Sequence, residues 1–171
     1  MFIIEYQTPE KATGEVAAIY DFFVQKGSPV PEPLQLMSVS PGIQNLFFNQ
    51  IKYFASHPVL SFPLLTAIRF QTAQAICFDH CTALNKTWLT KLGLSEEDIA
   101  NLAEGRTIEA FTEAENTLLQ VVAKVTRKEK ITASEIQQLR GLGWKDSDIF
   151  DACAHATNMI GGSYLFEAFK Q

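Results

Sequence analysis

Long apolar runs are missing from this 171-residue chain. None approaches the ~18 residues that a membrane-spanning helix needs. The opening MFIIEYQTPE has no basic stretch leading into an apolar core, so it does not read as a secretory signal. Both absences argue against a membrane role. Cysteine is scarce too: three residues, an odd number, point to reduced thiols in a cytoplasm rather than a disulfide framework. Basic residues are outnumbered, with 14 Lys and Arg against 19 Asp and Glu for a net charge of -5. Their one cluster, at 124–130, reads as the charged end of a helix, where cations favour the macrodipole. A nucleic-acid groove needs a basic face, and none is found. Sustained alternation with β-branched enrichment is absent as well, which leaves strands without a signal and makes the chain all-α.

What is present is a hydrophobic fraction of 47%, enough for a buried core in one domain spanning residues 1–171. Thr8 and Pro9 predict a first helix as N-cap and N1, with Val16, Ile19, Tyr20 and Phe23 on its apolar side and Gly27 at its end. The proline-stiffened loop at 28–33 precedes a short helical turn at 34–37. Ser40-Pro41 opens the next helix, whose apolar side is read as Leu46, Phe47, Ile51 and Phe54, and His57-Pro58 stops it. Ser61 caps a long central segment with Leu64, Ile68 and Ala75 as its buried stripe, running to Lys91 with a bend or break near 75–78. Gly93 ends it, and Ser95 caps a short helix with acids in its first turn. Capping boxes at Thr112/Glu115 and Thr132/Glu135 open two more helices. The last helix starts at Asp146 and carries Phe150, Cys153, Ala154, Thr157, Ile160 and Leu165. Two stretches, LGLSEEDI at 92–99 and LGWKDSDI at 142–149, echo each other as helix stop, glycine, acidic cap and restart. Two such copies suggest a pseudo-symmetric helical fold rather than a solenoid.

Chemistry-bearing residues concentrate in 69–99, where Cys77, His80 and Cys81 lie within five positions. On a continuous helix Cys77 and Cys81 are i and i+4, with Cβ atoms ~5–6 Å apart. A disulfide wants ~3.5–4.5 Å, so that bond needs a local bend or unwinding. Cys77 and His80 are i and i+3, which lets the imidazole stabilise a Cys77 thiolate or relay its proton. Read without further context, buried cysteines serve packing as often as reactivity, and Cys153 on the last helix reads as packing. His155 reads as lining the same cleft or as a hydrogen-bonded structural histidine, and His57 as a helix-end residue. Three ligands crowded on one turn lack the spaced pairs of a structural zinc site, so no metal is expected.

The helix after Thr8-Pro9, Val30-Pro31, SVSP at 38–41, the long helix, GLSEE at 93–97 and ACAHATNMIGGSYLF at 152–166 together resemble the carboxymuconolactone decarboxylase and alkylhydroperoxidase D-like family, over nearly the whole chain. The resemblance implies an all-α fold of two related helical halves assembled as a trimer or hexamer. It also implies a thiol-based peroxidase or disulfide-exchange site without a cofactor, fed by a hydroperoxide and a dithiol reductant. The redox members carry a glutamate, a Cys-x-x-Cys pair and a histidine four residues on. Counted back from Gly93, Cys81 takes the second cysteine position, Phe78 the first, Asn85 the histidine, and Thr66 lies near the glutamate. Cys77 and His80 fall one residue from the pattern. Asn85 and Thr66 can donate hydrogen bonds but cannot shuttle protons at neutral pH.

The leading expectation is therefore a cytoplasmic, thiol-dependent peroxidase-like protein with Cys81 reactive, Cys77 and His80 assisting, and Phe78, Asn85, Thr66 and Arg69 lining the substrate pocket. The rivals are a lyase acting on a lactone acid, with Arg69 as the one cationic candidate, and a family member without turnover that acts as a binding or assembly module.

Overall fold

The computed structural model describes residues 1–171 and is all helical: nine α-helices and one isolated bridge between Phe2 and Lys170. The helices are α1 (Gly14–Val24), α2 (Glu32–Met37), α3 (Pro41–Ala55), α4 (Phe62–Ala75), α5 (Asp79–Lys91), α6 (Glu96–Ala103), α7 (Glu113–Thr126), α8 (Ala133–Gly141) and α9 (Asp146–Phe169). None is long and apolar enough to cross a membrane.

The chain forms two compact units. The smaller comprises Met1–Ser56 and Gly162–Gln171, the larger His57–Gly161. In the smaller unit, Val16, Ile19 and Tyr20 of α1 meet Val30, Leu34 and Phe48 in one apolar cluster. Burying such side chains stabilises a fold by about 1.5–3 kcal/mol each. Polar links complete it: the Tyr20 hydroxyl donates to the Gln7 carbonyl at 2.7 Å, and the Gln7 N–H reaches the Ser38 hydroxyl at 2.8 Å. The terminus of α9 joins this unit through Phe2, whose ring meets Phe166 edge to face at 5.4 Å.

Two details differ from the sequence reading here. The first helix begins after Thr13, not Thr8, because the Lys11 N–H closes a tight turn onto the Thr8 carbonyl at 3.0 Å and the Gln7 side chain takes the Thr13 N–H at 3.0 Å. On α3 the buried side is Gln44, Phe48 and Phe54, while Leu46 is exposed. Gln44 turns inward because its amide donates to the Leu34 carbonyl at 3.0 Å, a bond that periodicity of apolar residues does not reveal.

In the larger unit α4 is the central helix, packed against α5, α6 and α7. Its Leu64, Leu65, Ala67, Ile68, Phe70 and Ala73 are buried, whereas Ala75 is exposed at the helix end. Leu118, Leu119, Val121 and Val122 of α7, Leu139 of α8 and Ile149, Ala152 and Ala156 of α9 are also buried. On α9 the buried positions thus differ from the residues read as its apolar set; Phe150 is exposed and Cys153 half-buried. His57 closes the loop before α4. Its Nδ1 accepts the Leu60 and Val59 N–H groups at 2.9 and 3.2 Å, which leaves the proton on Nε2 for the Asp151 carboxylate at 3.2 Å.

The echoed stretches form the same device twice. Gly93 and Gly143 stand at φ +92 and +96, conformations that favour glycine. In each case the next residue's N–H bonds back to the helix, Leu94 to Leu89 and Trp144 to Leu139, both at 3.1 Å. The capping boxes at Ser95/Asp98, Thr112/Glu115 and Thr132/Glu135 are all formed.

Candidate functional site

The break expected near 75–78 lies between α4 and α5, and its geometry decides what each cysteine can do. Cys77 occupies the left-handed position that closes α4, at φ +54. The Phe78 N–H bonds to the Ala73 carbonyl at 2.9 Å and the Cys77 N–H to the Gln74 carbonyl at 3.2 Å, the pattern of a glycine-type helix stop with cysteine in its place. Phe78 and Ala73 are both buried, the apolar contact that accompanies this stop. Cys77 is left exposed and outside α5, so the i, i+4 relation with Cys81 does not exist. All three cysteines are free thiols.

Phe78 is the N-cap of α5, which makes Cys81 the third helical residue. A thiol there meets the positive end of the macrodipole. Across from it on α4 stands Arg69. Its Nε–H donates to Asn85 Oδ1 at 2.8 Å, its Nη2 to Thr66 Oγ1 at 2.9 Å, and its Nη1 meets His155 Nε2 at 3.2 Å. Each partner is itself anchored. Thr66 donates its hydroxyl to the Phe62 carbonyl at 2.7 Å, and Asn85 donates its amide to the Cys81 carbonyl at 2.8 Å. His155 is hydrogen-bonded to the Leu65 backbone. With that bond made through Nδ1–H, Nε2 carries the lone pair that faces the guanidinium.

The electrostatics follow from a cation set among neutral acceptors. None of the ion pairs of the chain involves Arg69. Burial draws its pKa down to about 10, partly offset by Cys81, so it remains charged at neutral pH. Burial, followed by the neighbouring Arg69 charge, holds His155 down at about 3, so the imidazole is neutral. Burial pushes the Cys81 thiol up to about 11 while Arg69 pulls against it. Burial alone pushes Cys153 up to about 11.

Of the positions singled out from sequence, Thr66, Arg69, Cys81 and Asn85 come together, and Phe78 is buried at the start of the same helix. Cys77 does not join them. His80, in the first turn of α5, has its ring 6.1 Å from that of Phe78. His155 is the residue that sequence reading left undecided between a cleft and a structural role. Its signal was weak because it lies 86 positions from its Arg69 partner. No group of three or more His, Cys, Asp and Glu side chains is close enough to hold a metal ion. A separate cavity of about 620 Å³ between α6 and α7 is lined by polar residues including Glu97, Asp98, Glu109 and Glu113.

No family model and no curated protein matches the chain. Among solved structures it is similar to an uncharacterized peroxidase-related protein from Silicibacter sp. TM1040. The two share 16% sequence identity with a TM-score of 0.81, over 98% of this chain and 89% of that one. At this identity the likeness is one of fold, and it agrees with the all-α, alkylhydroperoxidase D-like architecture that the motifs imply.

Proposed function

We propose that this chain is a distant alkylhydroperoxidase D-like protein that reduces organic hydroperoxides through Cys81. The observation that carries the reading is the Cys81 thiol in the first turn of α5 beside Arg69, a cation with no carboxylate partner. The likeness in fold to a protein named as peroxidase-related supports it.

The chemistry is that of a thiolate attacking an O–O bond. The sulfur gives an electron pair to one peroxide oxygen, an S–O bond forms and the O–O bond breaks. The departing alkoxide takes a proton to become the alcohol, and Cys81 is left as a sulfenic acid. An external dithiol then supplies two electrons, becomes a disulfide, and returns the thiol with release of water. A fixed guanidinium is suited to both anions, the thiolate and the departing oxygen. None of the groups around Arg69 relays the proton: His155 uses its Nε2 lone pair on Arg69, and Asn85 and Thr66 do not titrate, so the Cys81 proton leaves to solvent and the alkoxide takes its proton from solvent.

The protein functions in a reducing compartment such as the cytoplasm, consistent with three free thiols, and assembles as a trimer or hexamer. The exposed Ile43, Leu46 and Tyr53 of α3 and Phe150, Tyr164 and Leu165 of α9 are apolar surface that assembly would cover. Size-exclusion chromatography with light scattering tests this; a clean monomer rejects it.

The test of activity is consumption of an alkyl hydroperoxide with a dithiol reductant by wild type and Cys81→Ser, with intact mass followed. Activity lost in Cys81→Ser, with a gain of one oxygen in the wild type, supports the reading. No consumption and no mass change overturns it and leaves the fold serving as a binding module.

A further inference from the structure

We infer that the Arg69 site binds an amphipathic monocarboxylate, with its carboxylate on the spare N–H groups of Arg69 and its apolar chain along Phe62, Leu84 and Trp88. The inference rests on the reading of Arg69 and Cys81 as the functional site and names the class of substrate that it takes.

A guanidinium has five N–H groups. Three are engaged, by Asn85, Thr66 and His155, which leaves two. All three partners are neutral acceptors, so the positive charge is uncompensated. Their anchors on the Phe62, Cys81 and Leu65 backbones fix the fork before any ligand arrives, which lowers the ordering cost of binding. Arg69, Cys81 and His155 are each half-buried as whole residues, whereas Thr66 and Asn85 are buried. Two N–H donors and one charge match a carboxylate. A phosphate dianion would leave one charge unmatched, in a chain whose net charge is already -5.

The apolar part of the ligand is read from the same two helices. Phe62 lies seven residues before Arg69 on α4, and Trp88 seven after Cys81 on α5, so each pair shares a helix face about 10 Å apart along the axis. The Phe62 ring lies 5.7 Å from the Arg69 guanidinium and meets Trp88 edge to face at 5.8 Å. The two helices thus run in opposite directions, with Arg69 opposite Asn85 and Phe62 opposite Trp88. Phe62, Leu84 and Trp88 are 48%, 46% and 38% exposed, high for large apolar side chains beside a charged group. Since Phe62 begins beside the guanidinium and Trp88 lies beyond it, a chain of about eight carbons is long enough to run from Arg69 across both rings.

The test is calorimetric titration of Cys81→Ser protein with octanoate, octanamide and acetate, since binding needs no thiol and a failed redox reading does not disturb it. Octanoate is expected to bind about tenfold to a hundredfold more tightly than octanamide, the worth of a charge-assisted pair. Chain length should add up to about fourfold per methylene over acetate. Arg69→Gln should erase the preference for acid over amide, and Trp88→Ala should flatten the chain-length dependence. Circular dichroism checks that each variant is folded; if Arg69→Gln is not, Arg69→Lys, which keeps the charge but loses the fork, replaces it and should weaken octanoate about tenfold. Equal binding of octanoate and octanamide, or no octanoate binding at millimolar concentration, overturns the inference whatever the peroxidase assay returns.

Discussion

Arg69 donates its Nε–H to Asn85 Oδ1 at 2.8 Å, and Asn85 passes its own amide N–H to the carbonyl of Cys81 at 2.8 Å. One buried amide therefore holds both the cation of α4 and the first turn of the helix that carries the thiol. Asn85 does not titrate; it is a spacer that fixes a charge beside a sulfur. The consequences are measurable.

Thiol reactivity should climb steeply with pH. Burial sets Cys81 at about 11, so the thiolate fraction rises about tenfold per pH unit between pH 7 and 10. Alkylation rates of a Cys77→Ser/Cys153→Ser protein, followed by mass, should trace that slope. Because Arg69 lowers the Cys81 value, Arg69→Gln should move the profile to higher pH. A plateau reached below pH 8 in the wild type would show that the helix terminus outweighs burial.

Acid should weaken the fold through His155. Its pKa is depressed from 6.5 to about 3, chiefly by burial and then by Arg69, so the native state binds fewer protons than the unfolded chain. The stability this contributes is fully present above pH 6.5 and is lost as pH falls toward 3. Denaturant midpoints should drop over that window, and His155→Gln should flatten the drop. An unchanged pH dependence in His155→Gln would show that the imidazole is not what titrates.

The helix stop at Cys77 should be improvable. A non-glycine residue in the left-handed region costs about 1–2 kcal/mol, and the side chain is exposed with nothing to lose by truncation. Cys77→Gly should therefore stabilise the protein by about 1 kcal/mol and raise Tm by about 2–4 °C. It should leave hydroperoxide consumption intact. Loss of activity together with gained stability would make Cys77 a participant in the chemistry after all.

Much of the local architecture was determined by the sequence alone. Ser95, Thr112 and Thr132 cap their helices because each is followed three residues on by an acid that returns the bond. Gly93 and Gly143 end helices because glycine bears φ near +90 at little cost. These are interactions within a few residues, and the all-α reading follows from the absence of any sustained alternating apolar pattern. The break expected at 75–78 lies between α4 and α5, but its consequence was not legible: a left-handed Cys77 closes α4 and leaves that thiol exposed. What only the tertiary structure decided is the company of Arg69. Its three acceptors lie 3, 16 and 86 positions away, and no local pattern links a threonine, an asparagine and a histidine so spaced. Packing of α9 against the central helix makes His155 neutral and a partner of the guanidinium, and burial makes Cys81 a protonated thiol at rest. Desolvation and charge are sums over everything that surrounds a group, so they exist only once the chain has folded around it.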